Sequence, residues 1–535
     1  MANPKNSTRN TADPIADLRD PAVLLSLLIA GLAGAYLLLT STTNLIPGIW
    51  PYDGKRMLQF LLLLVLFLVP MINRKIRAEF ADLLDMIPAW TKATLLAVFA
   101  WGLLSVAINA QSLMHALNSF SEVALLTALA IGTLVVGACR RIGGRSFDRL
   151  AVGLLAMTGL AVGLQELIGV FAAHNAGVDF NFRVSLLHFS WPRFYNQVQS
   201  WVVPVLVALP LLFSRYLMSF ILCGLVLGLQ WYIILMTGAR GTFVSVGAAI
   251  ILALVLVPRI RVRLAAWQAT GFVIGALVFS LVLLSFEAGK NAEKPEGTAQ
   301  TAKPSVIREA DRGAGQGQIS GGESSFFKQS VGRPMTHTSG RTWMWRSALE
   351  DVRDYPLAGI GPMNYACTSN KRIGHPHNFP LQLAAEWGVP VALAIAGLFV
   401  FFCGYAVAGI RNKRFDHPDD ALLAGLLLTG ILAAALHACL SGVLVMPASQ
   451  VTGLLTCGML VGLFPTRAKK HRPVARWRLL PGLLLASFLV ALGTHELQTM
   501  KSRSELLEPG ASMWPRIWQD SKVCRLYNVH NGVNN

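Results

Sequence analysis

Apolar runs, each near the length needed to cross a hydrocarbon layer of about 30 Å, recur along this chain and constrain most of what it can fold into. They fall at about 21–41, 57–72, 88–108, 120–138, 150–173, 200–214, 217–236, 241–257, 265–286, 379–409, 420–445 and 450–465, with a shorter thirteenth at 479–494 that carries Pro481. Peptide groups in lipid have no water to bond, and the runs lack the alternation of barrel strands, so each span should be a helix. The expected fold is an all-α polytopic membrane protein with about 12–13 transmembrane helices. Composition agrees, because 54% of the 535 residues are hydrophobic and only 14% charged. A soluble domain carries about 25% charged residues, which excludes an ordinary soluble enzyme.

Lys and Arg (46) exceed Asp and Glu (28), a formal net charge of +18. Such a surplus binds nucleic acid when gathered on one solvated face, but orients helices when it sits between spans. Here 23 basic residues occupy connections of one side, from Lys5, Arg9 and Arg19 to Arg467, Lys469, Lys470, Arg472, Arg476 and Arg478. The short connections of the other side hold Lys55, Arg56, Arg183, Arg193 and Arg240. That imbalance places the first side in the cytoplasm and leaves no basic face for nucleic acid. The apolar run after Pro21 exceeds the core of a signal peptide, so it reads as a retained anchor in an inner or plasma membrane.

Four regions follow: about nine N-terminal spans in 1–286, a large outer loop at 287–378, C-terminal spans in 379–495, and a tail at 496–535. Residues 287–335 are rich in Gly, Ser, Gln, Glu and Lys, and their GAGQG lacks the preceding strand that a dinucleotide loop requires. From His337 the composition changes. SGRTWMWRSALEDVRD places Trp345, Leu349 and Val352 at helical spacing behind a capping Ser339, and Pro356 ends the helix. The seven cysteines show no CxxC and read as packing residues, although Cys367 and Cys524 would share the oxidising side if the thirteenth run spans. The outer segments contain no DxD, GxxxxGK[ST] or HExxH. No metal and no cofactor are therefore expected, and positive charge for an anionic substrate has to come from arginine.

Three outer segments carry side chains suited to chemistry: HPHNFPLQLAAEWG from His375, the connection at about 174–199, and TGARGT around Arg240. Arginine beside a span is costly unless an anion meets it or its side chain snorkels to the interface. Arg240 is read as an anion contact or a snorkelling cap, and Arg183 and Arg193 as anion contacts or solvated loop charge. Arg341 opens the loop helix, where an N-terminus favours anions, or else pairs with Glu350 or Asp351. His375, His377 and Asn378 form the strongest group, since imidazole takes a proton near neutral pH. Glu166, an acid inside a span, is either functional or a helix-pairing residue. Trp343 and Trp345 fit either stacking on sugar rings or anchoring at the interface, and neither role is assigned.

In the order TGARG, long outer loop, SGRTWMW, DYPLAGIGPMNY and HPHNFPLQLAAEWG, the chain resembles the O-antigen ligase and polymerase superfamily of bacterial envelope glycosyltransferases, most strongly over 237–392. The ligase signature, a His-Asn pair, nine residues, Gly, two residues and then Gly, Thr or Tyr, falls on His377, Asn378 and Gly388 and departs at Val391. The resemblance implies a GT-C-like fold in the inner membrane. It also implies metal-independent transfer, at the periplasmic face, of a glycan from undecaprenyl pyrophosphate to a sugar hydroxyl of lipid A core. In those terms His377 assists the acceptor hydroxyl, while Arg240, Arg193, Arg183 and Arg341, with His375 and Asn378, belong to the substrate and pyrophosphate site. A protein O-oligosaccharyltransferase or an O-antigen polymerase would share the donor and differ in acceptor. A polysaccharide or lipid transporter would also need many spans, but it predicts charges deep within helices and leaves the HPHN loop without a role.

Overall fold

The computed structural model describes residues 19–176, 186–189, 191–214, 216–292, 341–366, 374–412, 415, 417–465, 475–501 and 517. Arg183, Ser339, Cys367 and Cys524 lie outside the described residues. Among those described, every regular element is helical. The five described cysteines, Cys139, Cys223, Cys403, Cys439 and Cys457, are free thiols in buried or half-buried positions.

Helix α1 (Pro21–Thr42) begins where the Asp20 carboxylate accepts the Ala22 N–H at 3.0 Å and Pro21, lacking an N–H, fills the first turn. After α2 (Pro51–Ile72) comes α3 (Arg74–Met86), an amphipathic helix within what the sequence suggested was a basic connection. Asn73 caps it by accepting from the N–H groups of Lys75 and Ile76. Helix α4 (Ala89–Asn109) leads to α5 (Leu113–Asn175), whose 63 residues join two expected spans across a break at Gly144, φ 51° and ψ −136°. That backbone geometry is accessible to glycine and strained for other residues. Ile76, Phe80 and Leu83 of α3 are buried, and the helix packs against α5.

Helix α6 (Pro192–Val205), a single 3₁₀ turn at 206–208 and the short α7 (Leu209–Leu212) together cover the sixth span. Then follow α8 (Leu217–Met236), α9 (Arg240–Leu256), α10 (Arg261–Ala292), the loop helix α11 (Arg341–Asp354), α12 (Phe379–Trp387), α13 (Val389–Arg411), α14 (Pro418–Ala438), α15 (Pro447–Leu463) and α16 (Leu480–Lys501). Among the described residues, nine helices are long and apolar enough to cross a membrane; α5 contains two of the expected spans, and α9 and α15 are shorter apolar helices. All thirteen apolar runs thus contain helix, although in 420–445 it stops at Ala438 and a turn follows, and Pro481 sits in the first turn of α16, where a missing N–H costs nothing. The protein is an all-α polytopic membrane protein.

Burial ranks the helices by position. In its most apolar window α14 is 83% buried, against 11% for α13 and 17% for α4. Helix α14, with the equally buried α6 and α15, therefore lies inside the bundle, while α4 and α13 expose leucine, valine and phenylalanine to lipid. Helix α6 crosses α14 so closely that a Cβ on Gly430 would lie 2.4 Å from the Trp201 carbonyl oxygen. The indole N–H of Trp201 donates to Ser449 of α15 at 2.9 Å.

Two expectations change. The run 379–409 is not one span but the short α12 and the spanning α13, parted at Gly388. Lys55 and Arg56, read as loop charges, lie in the first turns of α2 at 6% and 1% exposure. Arg56 bonds Gln59 at 2.6 Å, the Tyr52 hydroxyl at 3.0 Å and the Val445 carbonyl at 2.5 Å, so both terminal nitrogens of its guanidinium are hydrogen-bonded inside the protein.

Candidate active site

The His-Asn loop is held from three directions. Asn378 caps α12: its side-chain oxygen accepts the Leu381 N–H at 3.0 Å, and Pro380 occupies the first turn. The indole N–H of Trp345, on α11, donates to the Pro376 carbonyl at 3.0 Å. The backbone N–H of His377 donates to Nδ1 of His375 at 3.2 Å, with the two rings edge-on at 4.3 Å between centroids. His377 takes φ 54°, a left-handed conformation that a non-glycine residue holds only when its surroundings enforce it.

The far end of α12 is fixed by the turn of DYPLAGIGPMNY. Ile360 and Gly361 donate their N–H groups to the carbonyls of Ala385 and Glu386 at 2.9 and 3.0 Å, and Val389 donates to Pro356 at 2.9 Å. Gly388, at φ 88°, admits this contact because a Cβ there would lie 1.8 Å from the Leu357 carbonyl oxygen. The buried Glu386 accepts the Tyr365 N–H at 3.0 Å, and the Tyr365 hydroxyl donates to the Met344 carbonyl at 2.9 Å. Ser105 and Trp101 of α4 reach the same turn, donating to the Ala358 and Trp387 carbonyls at 2.8 and 3.1 Å. Two motifs noted separately in the sequence are therefore one interlocked unit, with α11 as its brace.

Against this unit stands one end of the bundle. Arg193 lies exposed in the first turn of α6, and Arg240 opens α9 behind a turn at Gly238, φ 55°. Arg341, half-buried, opens α11. Of the carboxylates weighed as its partner, Glu350 lies beside Arg346 at 3.8 Å, and Arg341 makes no ion pair among the described residues. Burial draws the Arg341 pKa below its ordinary value, as expected for a guanidinium taken from water without compensation. His377 is pushed down to about 4, first by burial and then by the positive charges of Arg341 and Arg193. It is thus neutral at pH 7 and set among cations.

His375 differs from His377. Its Nδ1 is taken by the His377 N–H, which leaves the proton of a neutral ring on Nε2, and its ring fills the space above Gly442, where a Cβ would lie 2.5 Å from Cε1. The ring braces the loop. Glu166, 2% exposed, lies within electrostatic range of Tyr232 on α8. Among the described residues no three His, Cys, Asp or Glu side chains converge as metal ligands would.

His437 and Ser200, inside the expected spans, complete the arrangement with Asn196 and Gln197 of the outer connection; sequence reading placed the latter two in that connection and passed over the former two. His437, in the last turn of α14, places Nδ1 2.7 Å from the Ser200 hydroxyl of α6 and interacts electrostatically with Arg341 and His377. Gln197 donates to the Ser441 hydroxyl at 3.0 Å, and Asn196 donates to Gln199 and Thr237 at 2.8 and 3.1 Å. The available signal was polar side chains within a span, which are expensive in lipid unless they serve a site or pair helices. Chemically, the assembly offers a neutral imidazole and guanidinium groups at one end of a lipid-embedded bundle, fit for an anionic, lipid-anchored substrate.

Residues 223–396 match the family model described as O-antigen ligase. The match runs from α8 into α13, so it includes Arg240, Arg341, His375, His377 and Asn378, and leaves Arg193, Ser200 and His437 outside. No curated protein matches the chain.

Proposed function

From a chain whose residues 223–396 match the O-antigen ligase family model, we propose a glycosyltransferase that moves a glycan from undecaprenyl pyrophosphate to a sugar hydroxyl of lipid A core. The observation that supports it most is a neutral His377, locked at positive φ and set near Arg341 of the same matched segment and Arg193 of the preceding helix. Displacement at an anomeric carbon needs a base for the attacking hydroxyl and a stabilised leaving group. His377 takes the hydroxyl proton as the new glycosidic bond forms. The bond from the anomeric carbon to phosphate breaks, and the pyrophosphate departs with the electron pair onto Arg341, Arg193 and Arg240, whose charge-assisted bonds strengthen as its charge grows. Arg183 belongs to the same proposed set. His375 and Asn378 hold the loop that carries the base.

In this reading the arginine-rich connections face the cytoplasm of a bacterial inner membrane, 287–378 forms the periplasmic loop, and the polyprenyl tail lies between lipid-facing helices. His377→Ala should abolish transfer while the protein still inserts, a loss of at least about 10²-fold. Lipopolysaccharide capped at normal levels in cells carrying only that variant removes His377 as base. The deletion strain fixes the acceptor. Loss of long chains with polyprenyl-linked polymer accumulating indicates a ligase, single-repeat capping a polymerase, and an unglycosylated protein substrate a protein O-oligosaccharyltransferase.

A further inference from the structure

His437 is 4% exposed, sits on the most buried of the nine long spans among the described residues, and lies outside the matched segment. The sixth and eleventh spans converge on it. The close crossing at Gly430 brings α6 against α14, and Gly241, at the start of α9, packs on its ring with a Cβ position 3.3 Å from Nε2. A side chain on Gly241 would crowd that nitrogen, so the ring edge is kept clear at the same helix start that carries Arg240.

The hydrogen bonds fix the ring's position. Ser200 Oγ lies 3.2 Å from the Asn196 carbonyl and 2.7 Å from Nδ1 of His437, so the ring is anchored through Nδ1. Nε2, on the opposite edge, is the nitrogen left to meet a ligand among the described residues. A sugar hydroxyl, donor and acceptor at once, can bond Nε2 in either tautomer of the neutral ring. His377 and Arg341, the groups within electrostatic range of the ring, are those that handle the acceptor hydroxyl and the leaving group.

Resting on the reading of the site given above, we propose that His437 is a second substrate-contacting imidazole, which hydrogen-bonds a hydroxyl of the acceptor sugar through Nε2 and positions that sugar for His377. Ser200 is the residue that anchors the ring. The contribution is to acceptor recognition, so the measurement separates the two substrates.

The test uses the full chain in lipid vesicles with an undecaprenyl-pyrophosphate-linked glycan and lipid A core. His437→Ala should lower kcat/KM for the acceptor by about 10- to 100-fold, while the Kd for undecaprenyl pyrophosphate stays within about two-fold. His437→Gln, whose amide can make the same bond to a hydroxyl, should recover part of that loss and serves as the probe if the alanine variant does not insert. Ser200→Ala should lose less than His437→Ala. An unchanged acceptor kcat/KM, or an equal loss of donor affinity, overturns the proposal. Failure of the parent reading looks different: transfer is then absent in the wild type, or persists in His377→Ala, and the two fall together.

Discussion

The two ends of α14 use arginine in opposite ways. At its start, Arg140 meets Asp148 at 2.8 Å and Asp420 at 3.5 Å, and Arg145 meets Asp419 at 2.9 Å, so the two arms of α5 are tied across the Gly144 break to α14. At its other end, roughly 30 Å away by helix rise, Arg341 makes no ion pair among the described residues, and the charges that bear on His377 are positive. The first arrangement consumes charge in holding helices together. The second retains charge that an anionic ligand can neutralise, at a cost in stability of the free protein.

The largest expected effect tests the first end. Arg140 and Asp148 keep 9% and 1% of their side-chain surface, so Arg140→Ala leaves a buried carboxylate without its cation and should cost about 3–5 kcal/mol, read as a fall in the detergent-solubilised Tm. Removing both partners should cost less than removing one. An unchanged Tm breaks the comparison, because it means that end holds no more tightly than the other.

At the opposite end the expected effect moves from stability to binding. Arg341→Ala should weaken undecaprenyl pyrophosphate binding by about 1.5–3 kcal/mol while Tm stays level or rises, since no ion pair is lost and an uncompensated charge is relieved. Arg341→Lys should recover part of the affinity but not the bidentate geometry. A falling Tm with intact binding would assign Arg341 to the structural class instead.

A smaller effect sharpens the contrast within the first end. The Arg145–Asp419 pair is 39% and 34% exposed, so Arg145→Ala should cost at most about 1 kcal/mol. A loss as large as that of Arg140→Ala would show that burial is not what separates the two pairs.

The spans were legible because lipid demands long apolar runs, and even Pro481 fits once it falls in a first turn. The break between α12 and α13 was hidden for the same reason: Gly388 interrupts no apolar pattern, and what requires glycine there is the Leu357 carbonyl, distant by 31 positions in sequence. Lys55 and Arg56 were misplaced because a charge count assigns residues to loops, whereas Gln59, Gln450 and the Val445 carbonyl make a buried place for Arg56. His377, Arg341 and Arg240 stood out as polar groups beside spans. His437 and Ser200 did not, because one histidine and one serine inside apolar helices look like packing until the crossing of α6 and α14 sets them 2.7 Å apart.

The smallest expected effect is a near absence of pH dependence where an ordinary histidine would show one. With a pKa near 6.5, His377 would be only about 3% neutral at pH 5; held at about 4 by burial, Arg341 and Arg193, it is about 90% neutral there. The kcat/KM of transfer, which reports the free enzyme, should therefore stay nearly level from pH 7 to 5 and fall with a midpoint near 4. Stability follows the same sign. Between 4 and 6.5 the unfolded chain binds a proton that the folded His377 refuses, so the stability tied to this residue is complete above 6.5 and lost as pH falls toward 4. Arg341→Ala should raise the midpoint by the smaller part of the shift, because burial is the larger cause. A wild-type midpoint near 6.5 would mean that this end of the bundle holds no surplus positive charge, and the contrast between the two ends of α14 would disappear.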